Sequence, residues 1–202
     1  MHKDRAKLSK FRFLRKVFYT KLIKSLLKEA KIVLDVGCGR GEFVETCSRW
    51  KKFCIGLDIQ LTFPSIDYNS VYVEYVQADM FHLPFRSNAV DVIIFSRVIE
   101  HISVSEAISL LRSFNRVSNT IIVITPSYHR AFWSPGHVTP YTLKTIRRVL
   151  ELANYKPMII TYDKAFILNI PLKFFPELIV KFLNLTPVAR LKVNILAVGK
   201  RN

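Results

Sequence analysis

Seven short apolar runs, three of their six intervals filled by stretches with helical spacing, set the strongest constraint on this chain. They are "KIVLDV" (31–36), "KFCIGLDI" (52–59), "VYVEYVQAD" (71–79), "VDVIIFS" (90–96), "NTIIVITP" (119–126), "KPMIITYD" (156–163) and "KVNILAVGK" (192–200). Runs of this length, rich in Val and Ile, predict buried strands. Between them, "GEFVETCSRW" (41–50), "SVSEAISLLRSFNRV" (103–117) with Ser103 as cap, and "TPYTLKTIRRVLELAN" (139–154) with Thr139 as cap and Pro140 in its first turn predict helices. Strands alternating with helices mean an α/β domain: a doubly wound, mostly parallel seven-stranded sheet covered on both faces. A chain of 202 residues, half of them apolar, suffices for one such domain.

In sheets of this kind ligands sit beyond the carboxyl ends of the strands, near the point where strand order reverses. Three successive strands here end in acids: Asp35, Asp58 and Asp79. The first runs into "DVGCGRG", a turn with Gly37, Gly39 and Gly41, where glycine permits positive φ and close approach of a ligand to the backbone. The turn lacks the Gly-Lys-Ser/Thr ending of a phosphate-binding loop, and its G-x-G-x-G spacing is not the G-x-G-x-x-G of a dinucleotide fingerprint. Asp58 is suited to both hydroxyls of a ribose, and Asp79 to an exocyclic amine. Any one of these acids could merely cap the helix after it. Three in succession, the first with a glycine turn, point to a nucleoside-type ligand.

At these residues the chain resembles the class I S-adenosylmethionine-dependent methyltransferases, in particular the small-molecule type-11 group. The matching stretches are "VLDVGCGRGEF", "GLDI", "VQADMFHLPF", "VDVIIFSRVIEHI" and, more loosely, "GHVTPYTLKTIRRVLELANYKP", where Asn154-Tyr155 replaces the family's usual glycine-aromatic pair. The resemblance covers about residues 30–163 and the final strand. It implies a Rossmann-like fold, S-adenosylmethionine as cofactor, and methyl transfer. It also implies roles. Gly37, Cys38, Gly39 and Gly41 would pass beneath the methionine part, and Asp35 would help hold the cofactor's amino group. Asp58 would take the ribose hydroxyls with Ile59 against the adenine. Asp79 and Met80 would line the adenine pocket. Ser96 and Arg97 would lie beside the methyl group.

Methyl transfer from a sulfonium is an in-line displacement that needs alignment, exclusion of water and, for a hydroxyl acceptor, a base. His101, His129 and His137 are the candidate bases or acceptor contacts. His129 and His137 fall in the long loop "TPSYHRAFWSPGHVTPYT" (125–142), the kind of connection that carries function on a rigid scaffold. His101 follows Glu100 in "RVIEHI". Quinone-precursor O-methyltransferases of this fold hold a metal with a similar Glu-His pair and a carboxylate three residues earlier. Here that position is Arg97, so no metal is expected, and Glu100-His101 also reads as a structural pair opening a helix.

The formal net charge of +16 is unevenly spread. Residues 1–31 hold eleven Lys/Arg against two Asp/Glu, residues 32–130 nine against ten, and residues 131–202 eleven against three. Residues 1–30 read as a basic amphipathic helix, with Leu14, Phe18, Leu22 and Leu26 on one stripe, covering the cofactor site. Residues 31–202 form the methyltransferase domain, with an apolar and basic insertion at 164–190 before the last strand. The acceptor expected on the resemblance is a small or lipid-like molecule. Basic flanks also suit an anionic membrane surface or nucleic acid, which keeps an RNA or protein methyltransferase open, or solvent alone. A non-catalytic, cofactor-binding partner subunit is the remaining alternative. The charged start argues against a signal peptide. The charges and prolines of 165–185 argue against a membrane span, so the expected location is cytoplasmic, peripheral to a membrane at most. Cys38, Cys47 and Cys54 fit no zinc spacing and read as reduced thiols.

Overall fold

The computed structural model describes residues 22–60, 72–131, 135–162 and 194–202. Its strands are β1 (Ile32–Val36), β2 (Phe53–Asp58), β3 (Val73–Gln77), β4 (Val92–Ser96), β5 (Thr120–Pro126), β6 (Tyr155–Tyr162) and β7 (Asn194–Arg201). They form one sheet in the order β3-β2-β1-β4-β5-β7-β6. β1 to β5 pair in parallel, and β7 runs antiparallel between β5 and β6. The expected doubly wound, mostly parallel sheet is therefore the one the chain forms. Strand order reverses at β1, which pairs with β2 on one side and β4 on the other. That reversal opens the crevice in which a ligand of such a sheet sits.

The helices are α1 (Glu42–Ser48), α2 (Val104–Val117), the short α3 (Tyr128–Ala131) and α4 (Leu143–Leu152). One core lies between α2, α4 and the sheet. Leu110, Leu111 and Phe114 recur at helical spacing and are buried against Leu34, Phe95 and Val123. The Phe95 and Phe114 rings meet edge to face at 5.3 Å, and burying such a side chain stabilises the fold by about 1.5–3 kcal/mol. The other core lies under α1, where Val44 and Cys47, together with Ile23 and Leu27, cover Val33, Ile94 and Ile122. All three cysteines are free and buried.

Ser103 caps α2 as expected: its Oγ accepts the Glu106 N–H at 3.2 Å, and the Glu106 carboxylate accepts the Ser103 N–H at 2.8 Å. The helix expected at 139–154 starts later, at Leu143, with Thr142 as its cap in place of Thr139. The reason is local. Thr142 and Thr145 exchange the reciprocal bonds of a capping box. Thr139 is held elsewhere, its Oγ donating to the Ile102 carbonyl at 2.7 Å and its N–H to the Glu100 carbonyl at 3.0 Å. Tyr141, between them, is buried and bridges to Ser127. The proposed N-terminal helix and the 164–190 insertion lie outside the described residues, save that 22–26 are helical.

Candidate functional site

β1 ends on Val36 and the chain turns sharply. Gly37 and Gly41 adopt φ of 72° and 73°, the left-handed region that costs other residues about 1–2 kcal/mol. Space is closed there too: a Cβ on Gly37 would collide with the Val98 side chain, and one on Gly41 with the Tyr75 hydroxyl. The loop is fastened to β2, because the N–H groups of Gly37 and Cys38 both donate to the Leu57 carbonyl, at 2.8 and 3.0 Å. Gly39 differs. A Cβ there would meet nothing within 4 Å, so it faces open space, while its N–H donates to Asp58 Oδ2 at 2.8 Å. Cys38 contributes main chain only. Burial, then the charges of Asp35 and Asp58, push its thiol up to about 12.

Asp35 is 4% exposed, and no donor among the described residues meets its carboxyl. Burial, and then the charge of Asp58, raises its pKa to about 7. A buried carboxyl without a partner suits a cationic amino group. Asp58 is half-buried at the end of β2. Each of its oxygens accepts one N–H, from Gly39 and from Gln60 at 3.1 Å, which leaves lone pairs for a diol. Ile59 beside it is 66% exposed, its carbonyl held by Gln77 Nε2 at 3.1 Å. Asp79 is bound locally: Oδ1 accepts the Phe81 N–H at 2.9 Å and Oδ2 lies 3.0 Å from His82 Nδ1. These bonds, the backbone one first, hold its pKa below the usual carboxylate value. Asp79 is thus the acid for which a turn-capping role has most support. Met80 packs on the core, while Phe81 exposes an apolar ring that sequence reading passed over. Together these residues suit a molecule with an ammonium, a diol and a flat ring.

Ser96 is half-buried at the end of β4. Arg97 is exposed, at φ 59°, with its N–H on the Ile124 carbonyl at 2.7 Å. A short 3₁₀ turn, Ile99–His101, follows. Glu100 in it is 1% exposed, with Thr125 Oγ1 donating to its Oε2 at 3.1 Å. Burial raises its pKa. Its main-chain carbonyl accepts the N–H groups of Val138 and Thr139, at 2.8 and 3.0 Å, which folds the loop after β5 back over the turn. His137 is thereby brought beside His101, ring centroids 4.9 Å apart at 73°. His101 Nδ1 lies 2.9 Å from the Gly136 carbonyl and His137 Nδ1 3.1 Å from the Ala131 carbonyl. One ligand-capable atom from each of Glu100, His101 and His137 falls within 4.8 Å of the others. The side chain of His129 lies outside the described residues. Thr125, absent from the sequence candidates, could have been suspected as a hydroxyl ending β5.

Residues 34–120 match the family model for a methyltransferase domain. An uncharacterised protein of Methanocaldococcus jannaschii, MJ1252, is 32% identical over 112 residues, 55% of this chain and 41% of that protein. The chain spans about two-fifths of the length of the curated relatives it matches. In fold it is similar to a SAM-dependent methyltransferase from Archaeoglobus fulgidus, at TM-score 0.59 and 20% identity over 95% of this chain and 99% of that one. It is also similar to magnesium protoporphyrin IX methyltransferase from Synechocystis, solved with bound SAM, at TM-score 0.60 and 14% identity over 93% and 81%.

Proposed function

We propose that this chain, whose residues 34–120 match the family model for a methyltransferase domain, uses S-adenosylmethionine to methylate a small-molecule or lipid-like acceptor. The observation that carries this reading is the buried Asp35, met by no donor among the described residues, beside an Asp58 already bonded to the open Gly39, at the point where strand order reverses. Asp35 would hold the amino group of the methionine part over the glycine turn. Asp58 would accept the ribose hydroxyls, and Ile59 and Phe81 would flank the adenine, with Asp79 and Met80 at its edge. The cofactor, when bound, supplies an electrophilic methyl group.

The chain's own task is then to hold the acceptor in line and keep water out, an advantage of several kcal/mol in well-aligned systems, up to about 7–11. Ser96 ends β4, Arg97 and His101 follow it, and His137 follows β5; on this reading they line the acceptor end of the crevice. Their polar groups suit an acceptor hydroxyl and its proton better than a hydrocarbon. The basic flanks, on the same reading, hold the protein to an anionic membrane surface where a lipid-like acceptor resides. Among the described residues no helix is long and apolar enough to cross a membrane.

Calorimetric titration with S-adenosylmethionine tests the cofactor. Binding is expected, and Asp58→Ala should weaken it by about 1–3 kcal/mol, roughly 5- to 150-fold in Kd. No heat and no thermal shift would remove the enzyme and the cofactor-binding readings together. Labelled cofactor incubated with fractionated cell extract tests the acceptor. Label in lipid or small polar fractions is expected, label confined to RNA or protein would overturn the acceptor class, and binding without label in any fraction would leave a non-catalytic subunit.

A further inference from the structure

We propose that Glu100, His101 and His137 bind one divalent transition-metal ion of the zinc class at the acceptor end of the sheet. The three donor atoms lie within 4.8 Å of one another. Ligands around a tetrahedral ion at about 2.0–2.2 Å sit roughly 3.4 Å apart, so closing on an ion asks for about 1 Å of side-chain adjustment. One carboxylate and two imidazoles is a donor set such ions take, and three protein ligands leave a coordination position open.

The surroundings prepare each ligand. The Nδ1 atoms of His101 and His137 each face a backbone carbonyl, of Gly136 and Ala131, at 2.9 and 3.1 Å. A carbonyl only accepts, so each Nδ1 carries its hydrogen and each Nε2 is left with a free lone pair, the tautomer a metal needs. Glu100 is held by the Thr125 hydroxyl and buried at 1% exposure, where one neutral donor is poor compensation for a carboxylate. The ligands come from two loops clamped together, since the Glu100 carbonyl takes the N–H groups of Val138 and Thr139. The turn after β4 supplies Glu100 and His101, and the loop after β5 supplies His137. The cysteines, buried in the other core, do not compete. The histidines then hold the ion rather than act as free bases. That an acceptor oxygen takes the open position rests on the methyl-transfer reading; the ion site itself does not.

The test is titration of the chelator-stripped full chain with Co²⁺, followed by its visible ligand-field bands and by equilibrium dialysis, with S-adenosylmethionine affinity measured in parallel. One Co²⁺ per chain, displaced by Zn²⁺, is expected. His137→Ala and, separately, the more exposed His101→Ala should each weaken it by more than the roughly 10–100-fold that loss of an outer partner costs. Retained S-adenosylmethionine binding in either variant shows that it is folded. No saturable band, or the same band and stoichiometry in both variants, overturns the site. Loss of ion binding with cofactor binding intact removes only the ion; ion binding without cofactor binding keeps the site and removes the methyltransferase reading.

Discussion

At the scale of single residues, Asp35 sets stability against binding. Its folded pKa, about 7, lies above the ordinary carboxyl value of 3.8. Folding therefore takes up a proton there between about pH 4 and 7. The group's contribution to stability is complete below about pH 4, falls as pH rises through that window, and is flat above it. Binding of a cationic amino group favours the ionised form, so cofactor affinity should rise over the same window. Asp35→Asn should raise the apo-protein's stability at pH 8 by about 1–3 kcal/mol while weakening cofactor binding and flattening its pH dependence. Denaturant melts and calorimetry between pH 5.5 and 8 check both halves, and a variant less stable at pH 8 would contradict the first. The glycines divide in the same way. Gly37→Ala, at positive φ and against Val98, should cost about 2–4 kcal/mol of stability, while Gly39→Ala, with open space around it, should cost about 1 kcal/mol but impair cofactor binding. Thermal melts compared with cofactor titrations separate the two. Asp35, Asp58 and the glycines were legible in sequence because each lies at or just past the end of a strand. Val98 and Tyr75, whose side chains close the space at Gly37 and Gly41, were not, since they reach the turn from the segment after β4 and from β3.

At the scale of elements, helix ends carry the information. α4 ends at Leu152, and Asn154 follows at φ 64°, so the residue standing in place of the family's glycine adopts the conformation that glycine favours. Asn154→Ala should destabilise by about 1 kcal/mol and Asn154→Gly should be close to neutral; equal losses in both, by chemical denaturation, would point to the side chain instead. Thr142→Ala should cost about 1 kcal/mol through the lost cap, more than Thr142→Ser. The sequence predicted this helix but not its start, because Thr139-Pro140 is as good a local signal as Thr142. The tertiary bonds from Thr139 to Ile102 and Glu100 decide between them. The meeting of His101 with His137 was hidden for the same reason: it follows from the loop's return path, which no spacing encodes.

For the whole molecule, charge and fold are separate layers. The near-neutral stretch 32–130 carries the residues proposed to hold the cofactor, and the excess positive charge lies before and after it. Flotation with anionic vesicles should therefore show binding at low salt that fades near 0.5 M, where the Debye length is only about 4 Å; protein that stays at the bottom in both conditions contradicts the membrane proposal. The sheet itself was legible end to end, since apolar runs buried on both faces leave little ambiguity. The order in which it can close was not. Among the described residues β6 pairs only with β7, and β5 keeps an open edge until β7 inserts between them. The 31 residues from 163 to 193 separate β6 from β7 in the chain. At about 5–20 residues per second, a ribosome takes roughly 2–6 s to make them. During that interval the nascent chain presents two bare strand edges, the form most open to mispairing and to chaperones. The crevice at β1 can already exist by then, so β7 closes a sheet whose proposed binding edge is complete before it arrives.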